Sequence, residues 1–189
     1  MNILNKVNSS NDIKMLDVKE LEPLCKELRQ FIIENVSKTG GHLASNLGAV
    51  ELTVALHRVY DSTRDRIVFD VGHQSYAHKI ITGRRDCFNT LRCHGGISGF
   101  PKPYEAADDA FIAGHASDSV SLALGMARAR TLKNEKYDVV AVIGDGALTG
   151  GLAYEGLANV GGCDEPMVII LNDNGMSINT NVGGMAKLL

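Results

Sequence analysis

Two short polar segments follow apolar runs of the sequence, and they hold residue types suited to binding a metal ion and phosphate. Gly144-Asp145-Gly146 follows the run 138–143, and Asn172-Asp173-Asn174 follows the run 166–171. Asp145 offers a carboxylate oxygen and Asn174 an amide oxygen, which are ligands that magnesium accepts. Glycine lets backbone N–H groups approach phosphate oxygens, and the N-terminus of a helix expected after Gly146 favours an anion.

The elements that must position these segments follow from the apolar patterning. Near-continuous apolar strands at 138–143 and 166–171 alternate with helical patterns at 119–132 and 147–160. This alternation is typical of an α/β fold, with a parallel sheet covered by helices on both faces. Ligands of such sheets bind beyond the carboxyl ends of the strands. Since the two polar segments follow consecutive strands, we expect them to lie near each other.

The first half of the chain predicts two more helices and one strand. Asp17 and Glu20 have the spacing of a capping box, and apolar residues at helical spacing follow until Gly40. A second helix is expected over 47–60, a strand at 67–69, and polar loops from 82 to 109. Residues 1–16 are expected to form a loose leader. Residues 17–189 are expected to form one diphosphate- and magnesium-binding domain that is truncated at its end.

Composition excludes several classes of function. The chain has 189 residues and a net charge of −3, without a long run of one sign, so neither nucleic acid nor an anionic membrane is expected as a partner. No apolar run approaches the roughly 20 residues that cross a bilayer, and no signal-peptide core is present, so a cytoplasmic location is expected. The four cysteines lack a C-x-x-C pair and are interpreted as reduced thiols.

Gly144-Asp145-Gly146, followed by Asn174, resembles the thiamine-diphosphate signature of transketolases and their relatives. The resemblance implies that Asp145, Asn174 and the backbone carbonyl of Met176 bind Mg²⁺. It also implies that the backbone amides of Gly146 and Ala147 meet the diphosphate. The residues that it assigns to binding thiamine diphosphate are His73, His115, Ser117, Gly144, Gly146, Ala147, Asn172 and Asn174.

Other segments narrow the resemblance to one branch of that family. The segments 41–45, 70–74, 82–85 and 95–102 are similar to those of the 1-deoxy-D-xylulose-5-phosphate synthase family. The resemblance covers nearly all of residues 17–189. It implies a transferase that condenses pyruvate with glyceraldehyde 3-phosphate and releases carbon dioxide, in the biosynthesis of isoprenoid precursors, thiamine and pyridoxal.

The same resemblance assigns catalytic roles to three histidines, namely His42, His73 and His115. Histidine suits such roles because its ordinary pKa lies near neutral pH. His57 and His94 are expected to be structural, and the role of His78 is left open.

Two segments depart from the family pattern. Residues 103–108 differ from the family's usual run, and Asp118 adds a negative charge where the family has a neutral residue. If Asp118 points inward it should weaken anion binding. If it faces solvent, it is expected to cap the helix that starts at Ser119.

The family holds the aminopyrimidine ring and its activating glutamate in a second domain, within a homodimer. This chain alone is therefore expected to be inactive. Three interpretations stay open: a truncated synthase, a split subunit that gains the second domain from another chain, or a non-catalytic binding module.

Overall fold

The computed structural model describes residues 2–173 and residue 184, so Asn174 and Met176 of the predicted metal set lie outside the described residues. The helices and strands, in chain order, are α1 (Val18–Thr39), α2 (Leu43–Leu47), α3 (Val50–Val59), β1 (Arg66–Phe69), α4 (Tyr76–Lys79), α5 (Ser119–Lys133), β2 (Val139–Gly144), α6 (Asp145–Leu148), α7 (Gly151–Gly161) and β3 (Val168–Asn172). The short 3-10 helices are Ile3–Lys6, Ser10–Met15 and Phe88–Thr90, and a π-type turn covers Ile80–Arg84.

Contacts between residues group the chain into two compact units. Unit 1 holds residues 1–63 and 73–112, and unit 2 holds residues 64–72 and 113–189. Each unit has an apolar cluster of its own. The predicted metal-binding segment at 144–146 belongs to unit 2, whereas His42 and His73 belong to unit 1.

Helix α1 dominates unit 1 and confirms the helix predicted from the capping box. The backbone N–H of Asp17 donates to the Glu20 carboxylate at 2.9 Å, which satisfies a donor at the start of the helix. Leu24, Leu28 and Ile32 are fully buried along one face. The helix ends at Gly40, whose φ of +74° lies in the region that favours glycine.

Residues 2–16 pack into unit 1, so the expectation that they are loose is wrong. Their side chains in the apolar core are Leu4, Val7, Ile13 and Leu16. The backbone N–H of Leu4 donates to the carboxylate of Glu27 on α1 at 2.7 Å. The apolar side chains of Ile3–Lys6 have a partner surface on α1, and those of Ser10–Met15 have one on α3, which local sequence composition does not reveal. The division of the chain after residue 16 stays a prediction.

Unit 2 is built on a three-stranded parallel sheet in the order β1-β2-β3, which confirms the predicted α/β fold. Arg66 pairs with Val139 at one end of the sheet, and Gly144 pairs with Asn172 at the other. Every residue of β2 from Val139 to Ile143 is buried. Because successive side chains of a strand point to opposite faces, both faces of this central strand are covered. Helix α5 packs against β1 and β2, and α7 packs against α5.

The single helix predicted over 147–160 is wrong, because the structure divides this stretch into α6 and α7. Helix α6 starts two residues earlier, at Asp145, and ends at Leu148. Gly150 has an extended conformation and acts as the N-cap of α7. A Cβ at Gly150 would lie 2.1 Å from Ser117 Oγ, so only glycine fits there. The close approach of Ser117 thus fixes the break between the two helices.

All four cysteines are free thiols, as predicted. Burial raises the pKa of Cys25 to about 11, so this thiol stays protonated at neutral pH. Among the helices of the described residues, none combines the length and apolar character needed to cross a membrane.

Candidate functional site

The two polar segments predicted to bind a metal ion begin side by side in unit 2. Gly144 and Asn172 are register partners at the carboxyl ends of β2 and β3. Asp145 follows Gly144 as the first residue of α6 and is partly exposed. Within residues 2–173 and residue 184, no group of three His, Cys, Asp or Glu side chains could hold a metal ion by itself. Any cation here would therefore depend on amide, carbonyl or ligand oxygens as well as on Asp145.

The turn 114–119 lies at the same end of unit 2 and is held by the carboxylate of Asp70, the residue after β1. The backbone N–H groups of Ser117 and Ser119 donate to its two oxygens, at 2.7 Å and 3.0 Å. The hydroxyl of Ser117 in turn donates to the carbonyl of Ala147 in α6 at 2.6 Å. This turn is therefore tied both to β1 and to the segment that carries Asp145.

His115 and Asp118 lie in this turn, and the backbone carbonyl of each accepts a hydrogen bond. The carbonyl of His115 accepts the N–H of Val71 at 3.1 Å, and its side chain is exposed. Asp118 occupies the N-cap position of α5, but its side chain makes no capping hydrogen bond. Burial and the nearby carboxylate of Asp70 raise the pKa of Asp118, whereas His115 lowers it. The capping role considered for Asp118 is therefore wrong, because its side chain accepts no N–H from the first turn of α5.

Two of the three predicted catalytic histidines lie together in unit 1. The rings of His42 and His73 are edge-to-face with centroids 5.4 Å apart, and Phe100 lies 6.1 Å from His42. Nη1 of Arg92 is 3.5 Å from Nδ1 of His42. Partial burial, and then the positive charge of Arg92, lower the pKa of His42. Both effects favour the neutral form of His42.

The backbone beside His42 leaves little space for side chains. The N–H of His42 donates to the hydroxyl of Tyr76 at 3.3 Å, and Tyr76 is fully buried. A Cβ on Gly41 would lie 2.6 Å from the same hydroxyl. Asn46 donates to the carbonyls of His42 and His73, at 2.6 Å and 2.7 Å. Tyr76 and Asn46 thus fix the backbone of both histidines, and sequence reasoning singled out neither of them.

Unit 1 also contains a buried group of charged residues, and three of them, Arg84, Glu105 and Asp109, lie in the segment 82–109 that the sequence predicts as polar loops. Arg84 donates twice to Asp109, with both distances 2.7 Å, and Lys79 donates to Glu105 at 2.6 Å. Lys79 is fully buried, and Asp109 is 2% exposed. Glu105 also accepts the N–H of Ser98 at 2.8 Å. Glu105 belongs to the segment 103–108 that departs from the family pattern, and its role is to bind Lys79 within this group.

Two buried histidines, His57 and His78, also belong to this group. We therefore interpret His78 as structural. His78 Nε2 lies 2.9 Å from Asp109, and His78 Nδ1 lies 2.9 Å from His57 Nε2. Burial raises the pKa of Asp109, whereas the hydrogen bonds from Arg84 and His78 lower it. The net result is a lowered pKa. Since ionised Asp109 only accepts, His78 donates through Nε2, and His57 donates to His78. We call His57, His78, Lys79, Arg84, Glu105 and Asp109 the buried charge cluster.

The chain matches a known protein family over nearly its whole length. The family model described as 1-deoxy-D-xylulose-5-phosphate synthase matches residues 4–189. The chain belongs to the 1-deoxy-D-xylulose-5-phosphate synthase family. The synthase of Alkaliphilus oremlandii is 56% identical over 186 residues, with 98% of this chain and 30% of that protein covered. The synthase of Caldanaerobacter subterraneus subsp. tengcongensis is 59% identical over 187 residues, with 99% of this chain and 30% of that protein covered.

The synthase-family chain thus spans about 30% of the length of the relatives that it matches, and it corresponds to their N-terminal portion. The oxygens at the ends of β2 and β3 suit a diphosphate that arrives with a cation. The carboxylate of Asp70 lies close enough to Asp118 to raise the pKa of Asp118, and Asp145 is a further carboxylate of unit 2. These anions disfavour a free diphosphate, whereas a divalent cation next to Asp145 would offset them. Of the described residues, Asp145 could offer a carboxylate oxygen to such a cation, and Asn172 ends the neighbouring strand.

Proposed function

We propose that this chain supplies the diphosphate- and magnesium-binding part of a thiamine-diphosphate-dependent transferase. The reaction is the condensation of pyruvate with glyceraldehyde 3-phosphate to 1-deoxy-D-xylulose 5-phosphate and carbon dioxide. The observation that carries the proposal is the register pair Gly144–Asn172, which starts both predicted binding segments at adjacent strand ends. A cytoplasmic location and a homodimer of the full-length protein are parts of the proposal.

In this proposal the carboxylate of Asp145 holds Mg²⁺, together with Asn174 and the carbonyl of Met176. The backbone amides of Gly146 and Ala147 contact the diphosphate, with Gly144 and Asn172 beside them. Thiamine diphosphate, when bound, supplies the carbon nucleophile and the electron sink for decarboxylation.

The histidines bind and orient the substrates in this proposal. A guanidinium can only donate hydrogen bonds, so Nδ1 of His42 faces Arg92 with its lone pair and Nε2 carries the proton. Neutral His42 can then donate from Nε2 to a substrate oxygen. His73, whose ring contacts that of His42, and His115 on the exposed turn of unit 2 are the other two proposed catalytic residues.

Replacing Asp145 with alanine is expected to weaken binding of thiamine diphosphate in the presence of Mg²⁺ on the order of tenfold or more. Removing the one described carboxylate at the proposed metal site takes away a charged ligand, and tenfold corresponds to about 1.4 kcal/mol. Isothermal titration calorimetry of the chain would measure the dissociation constant. Asp164→Ala, which removes an exposed carboxylate in the loop before β3, is the matched control and should bind as the unaltered chain does. Equal affinity of the Asp145 variant and the unaltered chain would contradict the proposed site.

The chain alone is expected to form no measurable product from pyruvate and glyceraldehyde 3-phosphate. It spans about 30% of the length of its relatives, and the family resemblance assigns the activating glutamate to a second domain. A discontinuous assay of 1-deoxy-D-xylulose 5-phosphate, with a full-length relative as positive control, would test this. Turnover by the chain alone would show that the residues present suffice for ring activation.

A further inference from the structure

Asp70 occupies an unusual position for a carboxylate in unit 2. It is 1% exposed and directly follows β1, and its own N–H donates to the carbonyl of Val142 in β2 at 2.8 Å. Its two carboxylate oxygens accept the N–H groups of Ser117 and Ser119. Hydrogen bonds from backbone N–H groups to an ionised acceptor are stronger than neutral ones. Asp70 therefore anchors the turn 114–119 to the end of the sheet.

Ser117 adopts a conformation that a serine does not favour by itself. Its φ is +73°, in the left-handed region, which the surrounding structure must enforce. In this conformation its hydroxyl reaches the carbonyl of Ala147, and it fills the space where Gly150 lacks a Cβ. The strained residue thus contacts both ends of the turn between α6 and α7.

We propose that Asp70 and Ser117 are positioning residues that set the orientation of α6 and therefore of Asp145. The contacts run from Asp70 through the backbone of Ser117 to the carbonyl of Ala147, two residues after Asp145. The hydroxyl proton of Ser117 is used within the protein, so Ser117 acts on a diphosphate through α6 and not as a donor to it. The expected effect on cofactor binding rests on the proposed function. The inference that Asp70 and Ser117 orient α6 does not rest on it.

The proposal is tested by two-dimensional amide NMR of the chain without ligand. Ser117→Ala removes the hydroxyl and keeps the Cβ, and the amide resonances of Asp145, Ala147 and Leu148 are expected to shift. Ser121→Ala makes the same chemical change at an exposed position of α5 and should leave these resonances in place. If Ser117→Ala leaves the α6 resonances in place, as Ser121→Ala is expected to do, the proposal is overturned.

Three further variants separate the hydroxyl from the strained backbone and from the anchor. Ser117→Gly relieves the strain but lacks the hydroxyl, so it should resemble Ser117→Ala; a spectrum of α6 like that of the unaltered chain would overturn the role of the hydroxyl. Gly150→Ala would place its Cβ 2.1 Å from Ser117 Oγ and should shift the α6 resonances although Ser117 is retained. Asp70→Asn should shift the amides of Ser117 and Ser119 together with those of α6.

Binding of thiamine diphosphate with Mg²⁺ is the second readout. Ser117→Ala is expected to raise the dissociation constant on the order of tenfold, which corresponds to one lost hydrogen bond. An unchanged dissociation constant beside shifted α6 resonances would overturn the link from α6 to the cofactor. If the unaltered chain does not bind the cofactor, the proposed function fails, and the shifts of α6 still decide whether Asp70 and Ser117 position it.

Discussion

Replacing Asp109 with alanine is expected to lower the free energy of unfolding by about 3–5 kcal/mol, which is the usual result of removing one partner from a buried ion pair. Asp109 accepts two hydrogen bonds from Arg84, one from His78 and one from the backbone N–H of Lys102. Without it, the buried charges of Arg84 and Lys79 share the single carboxylate of Glu105. The loss of four hydrogen bonds and the excess positive charge act in the same direction.

Urea denaturation of the chain at pH 7.5, followed by circular dichroism, would measure this change. The matched control is Asp86→Ala, which removes a carboxylate that is 92% exposed and paired with Arg85. Its effect is expected to stay within about 0.5 kcal/mol, as for most surface substitutions. A similar small effect for both variants would show that the buried charge cluster contributes little to the stability of unit 1.

Acidification from pH 7.5 to pH 5.5 is expected to lower the free energy of unfolding by about 2 kcal/mol through His57 and His78. Burial lowers the pKa of His57 well below its ordinary value, and the positive charges of Lys14 and Arg84 and the neighbouring His78 lower it further. Burial and Arg84 also lower the pKa of His78, while Asp109 and Asp108 oppose this shift. Both histidines therefore bind protons less readily in the folded chain than in the unfolded chain.

The direction of this effect follows from proton uptake. Below the unfolded pKa of about 6.5, the unfolded chain binds more protons than the folded chain, so stability falls as the pH falls. The lowered pKa of Asp109 adds a similar loss only at more acidic pH, below the ordinary pKa of an aspartate.

His57→Gln is the variant that isolates this effect. The glutamine amide can donate to His78 as Nε2 of His57 does, but it cannot be protonated in this range. About half of the loss between pH 7.5 and pH 5.5 should disappear. His94→Gln, at an exposed position, is the control and should leave the pH dependence unchanged. Parallel stability curves for the His57 variant and the unaltered chain would contradict the assignment.

Local patterns predicted the elements that carry the fold of unit 2. The continuous apolar runs located β2 and β3 to within two residues. For β2 the reason is that a strand buried on both faces needs apolar side chains at every position. Strand β3 is equally apolar, although its side chains are partly exposed. The capping box located the start of α1 for a similarly local reason. The proximity of Gly144 and Asn172 followed from the geometry of parallel strands.

The contacts that the sequence did not reveal join residues far apart in the chain. Asp70 accepts the N–H of Ser117, and Arg84 pairs with Asp109, across polar segments without periodicity. A charged residue is ordinarily exposed, so Lys79 gives no local sign of being buried. The break at Gly150 depends on Ser117, whose side chain occupies the position of a Cβ that glycine lacks.

The placement of β1 has a consequence for the order in which the chain can fold during synthesis. Strand β1 belongs to unit 2, but it lies in the sequence between the two parts of unit 1. Its first residue, Arg66, pairs with Val139, so β1 leaves the ribosome long before its partner strand exists. At about 5–20 residues per second, this interval lasts several seconds. Residues 1–63 of unit 1 precede β1, and residues 73–112 are made within this interval. Strand β1 must therefore remain unpaired while all the residues of unit 1 are already available to fold.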